Sequence, residues 1–271
     1  MIVDTADLIA MAERLEVSVW QSALVASSDA DRAPAGLACE QGPGGALAIS
    51  ASNMPSPFLN RIIGLGLTGP VDREWLAERL DCYAAAGQPY SVSLCEEQAG
   101  DLGDWLIERG LTPKTRLAKM ARRTDDLPPL PDGPEIRDVG VEDADIFADV
   151  ACRGFEMPKM MVGLFAPLPG LDGWRNLLTW VEGEPVGTGS IHLGQNVAWI
   201  GNGSVLPEHR RQGLHRHSML HRMHRAADLG ASWIMTETNR PEAGKIGPSF
   251  RNMQALGFDV VYERPNYIST A

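Results

Sequence analysis

The sequence predicts an α/β fold of the α+β type, built as two similar halves in which a mixed, mostly antiparallel sheet is flanked by helices. Three observations predict it. The chain has 271 residues, 44% of them hydrophobic and 22% charged, which is an ordinary globular composition long enough for two domains with cores of their own. A proline-rich seam, RRTDDLPPLPDGPE at 122–135, interrupts it. Similar successions of strand and helix signals run on either side of that seam.

The first half opens with helical periodicity over 4–16. LACEQ and ALAIS then read as a hairpin across GPGG, and NRIIGLGL as a strand. DREWLAERLDCYAAAG is an amphipathic helix, YSVSLCE a strand, DLGDWLIERGL a helix and KTRLAKMARR a closing strand. At the seam, Pro128, Pro129, Pro131 and Pro134 fix φ and remove donors, so neither a helix nor a central strand continues. The expected division is a domain over 1–124, an extended linker over 125–134 and a second domain over 135–271.

In the second half EIRDVG reads as a strand and 141–154 as a helix with acids at its start, followed by the Met- and Pro-containing FEMPKMMVGLFAPLPG. NLLTWVEG, EPVGTGSIHLG and NVAWIGNGSVLP are strands with turns at Glu182–Gly183 and Gly194–Gln195. A basic helix runs to Asp228 and stops before Gly230. The strand SWIMTET, the short helix SFRNMQALG and the last strand FDVVYERPNYI complete the order. This is an antiparallel meander followed by a crossover into parallel pairing. The echo of ERGL and ALGF at the ends of the two last helices suggests a degenerate duplication.

The formal net charge of −11 argues against general nucleic-acid binding. The N-terminus lacks a basic leader, and no apolar run approaches the ~18 residues of a membrane span, so neither a signal peptide nor a membrane location is expected. Cys39, Cys82, Cys95 and Cys152 are scattered without a CxxC pair, the pattern of reduced thiols in a cytoplasmic protein.

Against this acidic background, residues 207–225 read PEHRRQGLHRHSMLHRMHR, with five arginines and five histidines. A helix start offers unpaired N–H groups and the positive end of its dipole, Gly213 lets a ligand approach, and Arg210, Arg211 and Arg216 add charge. That is an anion cradle. His217, His221 and His224 share a helix face, but no carboxylate or cysteine follows at a usable spacing, so no metal is expected. A DNA-recognition helix would need basic patches elsewhere. A plain cationic flank is the remaining alternative.

A strand ending in GSVLPEHRRQGLHRH before a helix resembles the acyl-CoA-binding signature of the GNAT N-acetyltransferase superfamily. Val205, Pro207, Arg210 and Gly213 meet that pattern, and His215 replaces its final small residue. The resemblance covers about 135–271 and implies two GNAT-like domains, the N-terminal one degenerate, with the central strands of the C-terminal one splayed apart. It implies acetyl-CoA as co-substrate, its pyrophosphate on the amides of Arg211, Gln212, Gly213, Leu214, His215 and Arg216. Its pantetheine arm would lie along Gly203, Ser204 and Val205. In the first half GLGLTGPVDREW lacks the signature, and Asp72 and Glu74 would repel a pyrophosphate, so no CoA is expected there.

Acyl transfer to an amine needs a base, a polarised carbonyl and an acid for the leaving thiolate. Met253 occupies the place where the family usually has a tyrosine acid. Glu237 is the candidate base, Tyr262 the replacement phenol, and Ser249 and Asn252 lie on the same helix within reach of the cofactor sulfur or arm. Asn239 is a candidate contact to that arm, and Asn202 would order a water. Phe155, Met160, Trp174 and Trp199, together with Met157, Met161 and Trp180, would line an apolar acceptor pocket. The function expected is direct acetyl transfer to a small amine, without a covalent enzyme intermediate. The other reading is a binding protein that holds CoA or another anion without turnover. An apolar last strand suggests pairing across a homodimer.

Overall fold

The computed structural model describes residues 4–96, 100–241, 245 and 247–269. Helix α1 spans Thr5–Ala26, ten residues beyond the expected end, with the Asp4 side chain accepting from the Ala6 amide. Its buried face carries Ile9, Ala12, Leu15, Val19 and Ala23, but also Glu13 and Glu16, and those two acids hide the apolar stripe from a sequence reading. After the short helix α2 (Asp29–Arg32) come β1 (Leu37–Gln41), β2 (Leu47–Ala51) and β3 (Arg61–Ile63). Helix α3 (Arg73–Ala85), β4 (Ser91–Ser93), α4 (Leu102–Glu108) and β5 (Leu111–Arg123) complete the first half.

The second half contains β6 (Glu135–Asp138), α5 (Ala144–Gly154), β7 (Trp174–Val181), β8 (Glu184–Leu193) and β9 (Val197–Val205). Helix α6 (Leu214–Asp228), β10 (Trp233–Asn239), α7 (Pro248–Ala255) and β11 (Asp259–Ser269) follow. The turn between β7 and β8 places Glu182 at φ 51° and Gly183 at φ 84°, the two left-handed positions of a tight hairpin. Strands β6 to β9 form the antiparallel meander, and α6 carries the chain across to β10, parallel to β9.

The described strands form one sheet in the order β1-β2-β3-β4-β11-β5-β10-β9-β8-β7-β6. The two halves exchange their last strands. β5 leaves the first half to lie between β10 and β11, and β11 in turn inserts between β4 and β5. The first half thereby supplies an interior strand to the sheet of the second. β11 is covered along one edge by β5 over Asp259–Ser269 and on the other by β4 over Asn266–Ile268, so the last strand expected to pair across a homodimer is an interior strand of the sheet. A hydrophobic cluster containing Leu15, Val19, Leu47 and Ile63 from the first half with Phe147, Trp199 and Met235 from the second runs through the junction.

Candidate active site

The geometry that makes the site begins where β9 and β10 part. Their parallel register holds for Val197–Trp199 against Trp233–Met235 and then stops. Beyond it the Ile200 carbonyl accepts from the Thr236 hydroxyl at 2.9 Å. β9 also carries a bulge against β8, where the register shifts between Thr188 and Ser190 and Asn202 takes φ 49°. The splay expected of the second half is present, and a cavity of about 630 Å³ opens beside it.

At the mouth of the gap the chain from Leu206 to Leu214 builds the cradle. Arg211 at φ 65° and Gly213 at φ 79° are both left-handed, which turns successive amides toward one side before α6 begins. Among the described residues, the N–H groups of 211 to 216 have no protein acceptor; the first amide of the helix to find one is that of His217, at 3.0 Å from Gly213 O. A methyl group on Gly213 would meet nothing within 4 Å, so it is the positive φ rather than crowding that calls for glycine. These six amides suit a pyrophosphate.

Packing decides where the side chains of the basic segment go. Arg210 is structural: its guanidinium donates to Val205 O at 3.2 Å, Gly154 O at 2.9 Å and Glu156 at 2.9 Å, so the charges left for a ligand are those of the exposed Arg211 and Arg216. The same bond occupies the Val205 carbonyl, a point expected to pair with the pantetheine arm. His215 turns its ring inward to line the cavity, where burial and then the Arg222 guanidinium push its pKa down to about 4, so it brings no charge to a phosphate. The later histidines face the linker: His224 Nε2 lies 2.8 Å from Pro128 O, and a methyl on Gly133 would come within 2.3 Å of the His217 ring. Among the described residues no group of three or more His, Cys, Asp or Glu is placed to hold a metal ion.

In the first half the corresponding helix start is occupied. Asp72 accepts from the amides of Glu74 and Trp75, both at 3.0 Å, so α3 offers those donors to no anion.

The structure gathers Gly203, His215, Glu237, Asn239, Ser249 and Asn202 onto the cavity wall, with Phe155, Trp174 and Trp199 as its apolar face. Asn202 is steadied by donating to Ser190 Oγ at 3.1 Å. Glu237 accepts from Trp199 Nε1 at 3.1 Å and faces Lys119 Nζ at 3.4 Å, its partner in strand register. Other expected residues lie off the wall. Met160 and Met161 pack on the core, Trp180 stacks against Arg137, and Asn252 does not line the cavity. Ser204 is committed to Thr188 at 2.7 Å. Tyr262 is the clearest correction: it is buried away from the cavity and donates its hydroxyl to Glu13. Burial and that carboxylate raise its pKa well above 10, so it is not a proton donor to a thiolate.

Sequence reasoning missed what the first half adds. Trp20 and Phe58 line the cavity in an edge-to-face pair, and the Arg61 guanidinium lies against both rings, 4.6 and 4.5 Å from the centroids. Beneath them lies a buried ionic network. Glu16 meets Lys119 at 2.6 Å, Arg61 at 3.2 Å and also Arg264, which in turn meets Glu13 at 3.0 Å. Burial by itself would raise the Glu16 carboxyl, but Arg264, Lys119 and Arg61 together hold it well below the usual carboxylate range. A charged residue on an otherwise buried face, as at Glu13, Glu16 and Lys119, was the available signal.

Residues 155–245 match the family model described as the acetyltransferase (GNAT) family. They form a GNAT domain. The fold likeness extends across both halves. A GCN5-related N-acetyltransferase from Kribbella flavida is 21% identical, with 96% of each chain covered and a TM-score of 0.64. A tandem GNAT protein from the clavulanic acid biosynthesis pathway is 15% identical, covering 98% of this chain and 96% of its own, with a TM-score of 0.53. A GCN5-related N-acetyltransferase from Sphaerobacter thermophilus is 14% identical over 83% and 80%, with a TM-score of 0.59. No curated protein matches the chain. The cradle and the splayed strands described above lie within the stretch that matches the GNAT model.

Proposed function

We propose that this protein is an acetyl-CoA-dependent N-acetyltransferase that acts on a small amine by direct transfer. The observation that carries the reading is the run of six unpartnered amides, 211 to 216, at the mouth of the gap between β9 and β10. Acetyl-CoA supplies the thioester; everything else falls to this chain. The amides and the charges of Arg211 and Arg216 hold the pyrophosphate. Glu237, steadied by Trp199 and Lys119, faces the cavity as the base for an incoming ammonium. Ser249, a hydroxyl on α7 at the cavity wall, is the group assigned to donate a hydrogen bond to the leaving sulfur, which takes its proton from the amine nitrogen as that nitrogen becomes the amide. Among the described residues no cysteine lines that wall, and burial pushes the Cys152 thiol up to about 11, which supports direct transfer over a covalent thiol intermediate. The repeats 1–124 and 135–271 and a cytoplasmic setting belong to the same reading; among the described residues no helix is long and apolar enough to cross a membrane.

A second reading is a GNAT-fold protein that binds CoA or another anion without turnover. It is favoured by Met253 on the cavity wall where the family has its acid, and by the commitment of Tyr262 to Glu13. Free-thiol release from acetyl-CoA over a panel of primary amines separates the two. Release with at least one amine is expected, and tight binding with none would establish the binding protein. Gly213→Glu should abolish acetyl-CoA binding in a calorimetric titration while the circular dichroism spectrum stays that of the wild type. It brings negative charge into the cradle and a side chain to a left-handed position. Unchanged affinity would remove the cradle from the proposal.

A further inference from the structure

The ionic network at the junction is balanced, with three carboxylates (Glu13, Glu16, Glu237) against three cations (Arg61, Lys119, Arg264). Arg222 is not part of it. It is 2% exposed, and among the described residues no carboxylate stands within ion-pair distance of it. Its Nε donates to Ser218 O at 3.2 Å and its Nη1 to Gly201 O at 2.7 Å, both neutral carbonyls. Among the described residues Nη2 has no partner; the atom is buried, and the residue it belongs to borders the cavity. Burial, with no opposing charge, lowers its pKa to about 10, which still leaves it a cation at neutral pH.

The fold makes room for this side chain. A methyl on Gly189 would come within 2.6 Å of Nε, and one on Gly203 within 2.7 Å of Nη2. Three residues without side chains, Gly189, Gly201 and Gly203, therefore surround a buried guanidinium at the bulge of β9. An unpaired buried cation is costly, and the cost is met when an anion enters beside it.

We propose that Arg222 anchors a carboxylate that a substrate brings into the cavity. The apolar walls and the one unpartnered donor, Nη2, fit a compact monoanion that it meets when the guanidinium turns toward the cavity; a phosphate dianion would leave excess negative charge among Phe155, Trp174 and Trp199. The carboxylate comes either from the acyl group of a dicarboxylic thioester or from an acceptor that carries it near its amine. The assignment of these two sources rests on the acyltransferase reading, whereas the carboxylate site itself does not.

Calorimetric titration of the full-length protein tests it with two matched pairs: succinyl-CoA against acetyl-CoA, and phenylalanine against phenylalaninamide with CoA present. In one pair the wild type should bind the carboxylate member at least about tenfold tighter. Arg222→Met should erase that preference and Arg222→Lys should keep part of it. Acetyl-CoA binding with no preference in either pair overturns the carboxylate anchor and leaves the acyltransferase reading standing. Absence of acetyl-CoA and CoA binding with a preference for phenylalanine over its amide does the reverse. Equal weakening of both members of a pair in Arg222→Met assigns the guanidinium to the cofactor arm and also overturns the anchor. Should Arg222→Met not fold, the wild-type preferences and Arg222→Lys decide the matter.

Discussion

His215 and Tyr262 mark how far a residue's position in the chain can mislead about its surroundings. The His215 amide stays in the cradle while its ring turns into the cavity, and packing commits the Tyr262 hydroxyl to Glu13. For His215 the consequence is measurable. Burial pushes it and His192 down to about 4, whereas in the unfolded chain each titrates near its ordinary value of 6.5. Between those values the unfolded chain takes up protons that the folded chain refuses. Stability present above pH 6.5 is therefore lost as the pH falls toward 4. The melting temperature should decline steadily from about pH 7 downward, and His192→Asn should flatten the decline. A flat profile down to about pH 5 would refute the assignment.

At the scale of the element, the start of α6 was the most legible feature of the chain. Everything it needs is contiguous: a strand end, a turn, a glycine at positive φ and the first amides of a helix. The role of Arg210 was not legible, because its partners Gly154 and Glu156 lie on a segment far away in sequence. Arg210 pins the turn to the end of α5 and so shapes the cradle without belonging to it. Its ion pair is largely exposed and contributes little, but the two carbonyl bonds are charge-assisted. Arg210→Ala should cost about 1–3 kcal/mol in thermal unfolding, while weakening acetyl-CoA much less than Gly213→Glu does. A loss of affinity as large as that of Gly213→Glu would return Arg210 to the phosphate site.

For the whole molecule the exchange of β5 and β11 is the governing fact. A fragment starting at residue 125 would lack β5, leaving β10 and β11 without the strand that joins them. It would also strip Glu13 and Glu16 from Arg264, a buried cation that is strongly destabilising when unpaired. The full chain should unfold in one cooperative calorimetric transition, and the fragment 125–271 should give no folded circular dichroism spectrum. Two separate transitions, or a stable fragment, would sink this account.

The sequence by itself determined most of the elements, the meander with its parallel crossover and the glycine turn that opens α6. Each of these rests on periodicity, turn chemistry or backbone donors that are adjacent in the chain. Only the tertiary structure decided that the last strands change places, that Glu13 and Glu16 anchor the junction, that His215 points inward and that Arg222 stands unpaired beside Gly203. Arg222 left a trace on the buried stripe of α6 with Leu214, Ser218 and Ala226, and in the glycines of β8 and β9. The physical reason is common to all of these: the balance of a buried charge depends on which groups meet across the core, and that is fixed by strand pairing over long stretches of chain.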